Sequence, residues 1–148
     1  MKIESVSGEG IREPLRLLES SLRDGEPLPD EFVSRMARLI ESGDIEVLAA
    51  KDDDRSLGEA IGVLVLAFRP NISLGGDFAS IEDLYVEPNS RRRGIGRKLL
   101  EEAAERCRER GVSYVEAHVE EDEAKAFYAK LGYEEEGGVR VFSGEYPL

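Results

Sequence analysis

Apolar residues recur along this chain at two periods, and the switches between them outline its elements. Ile3 and Val6 alternate with polar neighbours over residues 1–7 and predict a short first strand. Ile11, Leu15, Leu18 and Leu22 then fall at helical spacing until Asp24-Gly25. A second helix follows Pro29, with Asp30 as expected N-cap and Phe32, Val33, Met36, Leu39 and Ile40 as its inward stripe, ending at Ser42-Gly43. Runs rich in Val, Ile and Leu at residues 45–51 and 60–68, separated by the polar turn 52–58, predict an antiparallel hairpin. The second run is nearly continuous, which predicts cover on both of its faces. Residues 69–77 contain Pro70, Asn71, Gly75 and Gly76 and read as a loop, and residues 78–86 as a third strand of this group.

Beyond a glycine turn, Leu99, Leu100, Ala103, Ala104 and Cys107 mark the inner face of a helix that follows Gly96 and stops at Gly111, with Glu102 and Arg106 four apart on its outer side. Residues 112–119 predict a strand, 123–131 a short helix stopped by Gly132, and 133–136 with 139–142 a closing hairpin around Gly137-Gly138. One helix therefore crosses over between two parallel strands in an otherwise antiparallel set. The expected class is α+β, a mixed, mostly antiparallel central sheet flanked by helices, in one domain spanning residues 1–148.

Composition narrows the function classes. No apolar run approaches the ~20 residues that cross a bilayer, and the polar start MKIESVSGEG does not read as a signal peptide, so the expectation is a cytoplasmic protein without membrane attachment. A formal net charge of -12 argues against nucleic-acid or anionic-membrane partners, since both are drawn by surplus Lys and Arg. Cys107 is the single cysteine, which rules out an intrachain disulfide, and its helical register with Leu99 and Ala103 makes it a small buried apolar residue rather than a nucleophile. His118 is the single histidine and reads as a solvated strand residue; no clustered ligand set points to a metal.

Against this acidic background the stretch from Val86 to Leu100, V-E-P-N-S-R-R-R-G-I-G-R-K-L-L, is a local basic exception. An apolar strand run ends at Val86, Pro88 blocks its continuation, and two glycines precede a helix start. A helix N-terminus has unpaired N–H groups and the positive end of the macrodipole, so such a turn builds a phosphate site, to which arginines add charge-assisted bonds. A Walker loop would need Lys and then Ser or Thr after its last glycine, where Arg97 and Lys98 stand; a dinucleotide fingerprint would need a third glycine where Leu99 stands.

What remains, Arg91-x-x-Gly94-x-Gly96 after Val86-x-Pro88, resembles the acetyl-CoA loop of the GNAT superfamily of acyl-CoA N-acyltransferases. Ala124-x-x-Phe127-Tyr128-x-x-Leu131-Gly132-Tyr133 resembles a second block of that family, with Tyr133 for the usual Phe, and the element order is the family's own. An Asn common in the family three residues before the block is Glu121 here, which removes one contact to the CoA arm.

The resemblance implies the GNAT fold, acetyl-CoA as cosubstrate and an amine acceptor. It assigns the pyrophosphate to Arg91, Arg92, Arg93, Gly94, Ile95, Gly96 and Arg97, and the thioester and pantetheine arm to the backbone N–H groups of Leu84 and Val86, freed by a bulge. Direct transfer needs a deprotonated amine, and an alkylamine with pKa ~10.4 is mostly protonated at neutral pH. Glu82 and Asp83 precede the loop; alternation puts Glu82 with Leu84 and Val86, and Asp83 with Ile81 and Tyr85. Ile81-Glu82-Asp83-Leu84-Tyr85-Val86 resembles the strand of polyamine-type members, which favours Glu82 over a water relay or His118 as the group that takes the amine proton. Tyr128 falls where the family carries the Tyr that protonates the departing thiolate. The alternative is a GNAT-fold module that binds acyl-CoA as a sensor without turnover. The sequence leaves open the acceptor and whether the chain forms a homodimer.

Overall fold

In the computed structural model, residues 1–53 and 58–147 are described; positions 54–57 of the predicted polar turn, and Leu148, lie outside the described residues. Among the described residues five strands form one sheet in sequence order: β1 (Lys2–Ser5), β2 (Ile45–Lys51), β3 (Ala60–Asn71), β4 (Gly76–Val86) and β5 (Val115–Ala117). Every neighbouring pair is antiparallel except β4 and β5, which run parallel. The helices are α1 (Arg12–Leu22), α2 (Asp30–Ser42), α3 (Ile95–Glu109), which joins the parallel pair, and α4 (Asp122–Lys130). The chain forms two compact units, Met1–His118 with the sheet and α1 to α3, and Val119–Leu148 with α4.

The first unit is a three-layer arrangement because β3 is apolar at almost every position. Val63 and Val65 face a cluster that includes Ile11 just before α1, Leu15 and Leu18 of α1, Val33 and Met36 of α2, and Val47 and Ala49 of β2. On the opposite face Gly62 lies against Ile95 and Leu99 of α3. Leu48, Ile61, Leu64, Leu66 and Leu99 are all fully buried. Each such side chain contributes about 1.5–3 kcal/mol of transfer free energy, so the two covered faces of β3 hold the unit together.

Several elements depart from the sequence expectation. The predicted loop at 69–77 is largely strand: Pro70 stands opposite Asp77, and only Ile72 to Gly75 turn. Asn71 Oδ1 accepts the Leu74 N–H at 3.0 Å and Gly75, at φ 66°, donates its N–H to Asn71 O at 3.0 Å, so local turn chemistry tightens the hairpin. Asp30 is not the N-cap of α2. Pro29 holds that position, and Asp30 instead accepts a charge-assisted bond from Arg12 of α1. β5 covers three residues of the eight expected.

In the second unit the closing hairpin is absent: residues 133–147 contain no strand, and Val139, Val141 and Phe142 are exposed. A two-stranded hairpin without a covered face is marginal in water, and a β-prone sequence alone does not supply that cover.

Candidate functional site

The site begins where β4 breaks its own alternation. Ile81 stands opposite Leu66 and Asp83 opposite Val65, so Glu82 has no partner and forms a β-bulge. A regular strand would put Ile81 and Asp83 on one face; the bulge sends Ile81 with Leu66 toward α3 and Asp83, like Tyr85 opposite Val63, toward α1 and α2. The expected grouping of Asp83 with Ile81 is therefore corrected, while its grouping with Tyr85 stands. Glu82 is exposed and Asp83 half-buried. Burial, and then the neighbouring Glu82 charge, raise the Asp83 carboxyl above its ordinary range.

The bulge also marks where the parallel pair parts. β5 pairs with Ala79, Ser80 and Ile81 and no further, which leaves Glu82 to Val86 without a strand partner on that edge among the described residues. Ala79 donates its N–H to Tyr114 O on the β5 side at 2.9 Å, whereas Glu87 donates to Ile61 O on the β3 side at 2.9 Å. N–H directions alternate along a strand, so the Leu84 and Val86 N–H groups aim into the opening.

At the end of that opening the chain turns through Pro88–Ser90 into the basic loop. Ser90 is buried and donates its hydroxyl to Glu87 Oε1 at 2.9 Å. Arg91 folds back, its Nε donating to Val86 O at 2.9 Å and its guanidinium lying 5.4 Å from the Tyr85 ring centroid. Arg93 pairs with Asp52 at 3.1 Å and Arg97 with Glu101 at 3.0 Å. Arg92 is exposed and makes no ion pair among the described residues. It also adopts a left-handed conformation, φ 64°, that side chains other than glycine seldom take.

Gly94, at φ 76°, is the N-cap of α3, two residues earlier than the sequence implied, and offers no side-chain cap. The first-turn N–H groups of Ile95, Gly96 and Arg97 donate to no described residue. Ile95 is buried and anchors this turn to the sheet. The structure thus brings Glu82, Leu84, Val86 and residues 91–97 into one continuous strip of the first unit. N–H donors along it suit an extended amide chain, and unpaired N–H groups with Arg92 at its end suit an anion.

Tyr128 belongs to α4 in the second unit, where its ring meets those of Phe127 and Tyr133 edge-on, each at 5.3 Å. Tyr133 N–H donates to Tyr128 O at 3.1 Å across the Gly132 turn. Burial first, and Tyr133 second, push the Tyr128 phenol up to about 12. His118 is exposed. Cys107 is buried, and burial and the Glu46 charge raise its thiol, which suits a core residue rather than a nucleophile.

Three contributors escape the sequence reading. Asp52 holds Arg93 from 41 positions away, and no local pattern announces it. The bulge at Glu82, which parts Asp83 from Ile81, leaves no mark in the alternation of β4. Gly62 does leave a signal, a glycine inside an otherwise β-prone run, which marks close backbone approach.

A mixed sheet whose parallel pair parts past a bulge, with a basic glycine turn leading into the crossover helix, defines the class of acyltransferase folds to which the loop sequence pointed. Residues 13–133 match the acetyltransferase (GNAT) family, and the chain belongs to that family. An uncharacterized N-acetyltransferase of Methanocaldococcus jannaschii is 39% identical over 66 residues, a match spanning 43% of this chain and 29% of that protein. An aminoglycoside acetyltransferase from an uncultured soil metagenomic sample, solved in complex with sisomicin, superposes with TM-score 0.83 at 22% identity, covering 99% of this chain and 96% of that one. A predicted acetyltransferase from Clostridium acetobutylicum solved with acetyl-CoA superposes with TM-score 0.77 at 18% identity, covering 96% of this chain and 95% of that one. At these identities the two structures establish the shared fold.

Proposed function

We propose that this chain is an acetyl-CoA-dependent N-acetyltransferase that passes the acetyl group directly to a primary amine of a small molecule or protein. The observation that carries the reading is the continuous strip of donors: the outward N–H groups of Leu84 and Val86 on the open edge of β4, followed by the unpaired first turn of α3 and Arg92. Such a strip fits a linear molecule with amides at one end and a pyrophosphate at the other. The Clostridium acetobutylicum relative, solved with acetyl-CoA, supports the choice of donor.

In this reading Leu84 and Val86 hold the pantetheine arm and thioester, and residues 91–97 hold the pyrophosphate. Within the loop the roles divide. Arg92 and the N–H groups of Gly94, Ile95, Gly96 and Arg97 face the anion, while Arg91 and Arg93, tied to Val86 and Asp52, fix the loop's shape. Glu82, lifted out of the ladder and exposed, takes the acceptor proton directly or through water. The amine then attacks the thioester carbon, the C–S bond breaks, and the second nitrogen proton passes through water to the departing thiolate as the amide forms.

Tyr128 acts on that thiolate. Full proton transfer from a phenol near 12 to a thiolate of a thiol near ~8.5 is uphill by roughly 5 kcal/mol, so the phenol works as a hydrogen-bond donor that stabilises the departing sulfur. The acceptor pool includes aminoglycosides, on which one structural relative acts, and polyamines, to which the β4 strand sequence points.

The test is thiol release from acetyl-CoA against polyamines, aminoglycosides, amino acids and N-terminal peptides, alongside calorimetric CoA binding. Release with at least one amine supports the enzyme. Binding without release across the panel supports a sensor, and absence of binding overturns both.

A further inference from the structure

Gly62 occupies a place where two parts of the strip meet. Through the β3–β4 register it stands opposite Val86, the last residue of β4. On its α3-facing side a Cβ would lie 3.1 Å from Ile95 Cγ2, 3.2 Å from Leu99 Cδ1 and 3.4 Å from Ala50 Cβ. Ile95 opens α3, and Ile95 and Leu99 are one turn apart on its buried face. Gly62 is flanked by Ile61 and Val63, both fully buried in a run rich in Ile, Val and Leu. The missing side chain is thus the local reason why the first turn of α3 can sit so close to the sheet.

We propose that Gly62 is a positioning residue for the acyl donor, setting the distance between the β4 edge and the N-terminus of α3; this rests on the donor-site reading above. The Val86 N–H belongs to one half of the strip and the N–H groups of Gly94, Ile95 and Gly96 to the other. A ligand that engages one half is indifferent to their separation, while a ligand that spans both is not. An added methyl presses on the Ile95 and Leu99 side chains and lifts the first turn by a few tenths of an ångström. It leaves each half's own chemistry unchanged.

Calorimetry on the full chain separates the two cases, using CoA as the spanning ligand and 3′-phosphoadenosine 5′-diphosphate as the fragment that reaches only the loop. Gly62→Ala is expected to weaken CoA about tenfold, in keeping with the steep dependence of function on sub-ångström placement, and to change fragment binding less than twofold. Leu99→Ala removes one of the two close contacts, so Gly62→Ala introduced in that background is expected to cost CoA affinity several-fold less. The Leu99→Ala background also supplies the comparison if the single variant does not fold.

Unchanged CoA affinity in Gly62→Ala, equal losses for CoA and the fragment, or an undiminished loss in the Leu99→Ala background would each overturn the positioning role while leaving the donor site intact. Failure of the unmodified protein to bind CoA would overturn the donor-site reading and the positioning role together.

Discussion

Glu82 and Asp83 are adjacent, carry the same charge, and still sit in different environments, because one is bulged into solvent and the other turned toward the helices. Replacing Glu82 by Gln is expected to lower turnover about 10²-fold, at the low end of what general-base catalysis contributes, with CoA affinity unchanged; initial-rate kinetics and calorimetry together check this. Asp83 makes a different prediction. Its carboxyl is raised in the folded chain by burial and by Glu82, so the folded state holds that proton more tightly than the unfolded state. The stabilising contribution is complete below the unfolded carboxylate range and is lost as pH climbs through the raised one. Asp83→Asn should therefore melt at or above the wild-type temperature at pH 7, with the gap closing toward pH 4, by calorimetric scans across pH. Tyr128→Phe should lower turnover and leave CoA affinity nearly unchanged. With its phenol near 12, the pH–rate profile should contain no Tyr128 limb below about pH 10. Arg92 combines charge with an unfavourable left-handed backbone. Arg92→Gly is expected to raise stability by roughly 0.5–1 kcal/mol while weakening CoA, as thermal scans paired with calorimetry would show.

At the scale of elements, the sequence was most informative where one face of an element is buried. The stripes of α1, α2 and α3 land inward as their spacing predicts, apart from half-buried Leu39, Ile40 and Ala104 and exposed Phe32 and Leu22, and the Glu102–Arg106 pair forms at 3.1 Å. Periodicity succeeds there because burial of an amphipathic face is what stabilises a helix. It fails at β4, where one unpaired residue, Glu82, reverses the parity of everything before it relative to everything after. It fails again at 69–77, where Pro70 and two glycines announce a loop but the cross-strand partners Phe68–Ala79 and Arg69–Phe78 extend the ladder past them. The closing hairpin is the opposite error, a β-prone stretch without a covered face. In the candidate site the glycine turn into a helix start was legible. The tie from Arg93 to Asp52 was not, because it depends on where a distant loop comes to rest.

For the molecule as a whole, a net charge of -12 sets a long-range field that, in the proposed reaction, would oppose the polyanionic donor and attract a cationic acceptor, while the basic loop would act only at short range. Raising ionic strength from about 10 to about 100 mM shortens the Debye length from ~30 to ~10 Å. Stopped-flow association should then show opposite signs: the CoA on-rate rises as long-range repulsion is screened, and the on-rate of a polyamine acceptor falls. Equal responses would place the acceptor's charge outside the recognition step.

The sequence alone determined the fold class, the element order as far as α4, the family resemblance and the turn within Val86 to Leu100, because each is written in spacing and residue type over a few consecutive turns. Tertiary structure decided what depends on partners remote in the chain: that the β4–β5 pairing ends at Ile81 and frees the β4 edge beyond it, that the bulge separates Asp83 from Ile81, and that Gly62 brings Ile95 close to the sheet. Local sequence sets which residues are buried; only packing between distant segments sets how far apart two halves of a site stand.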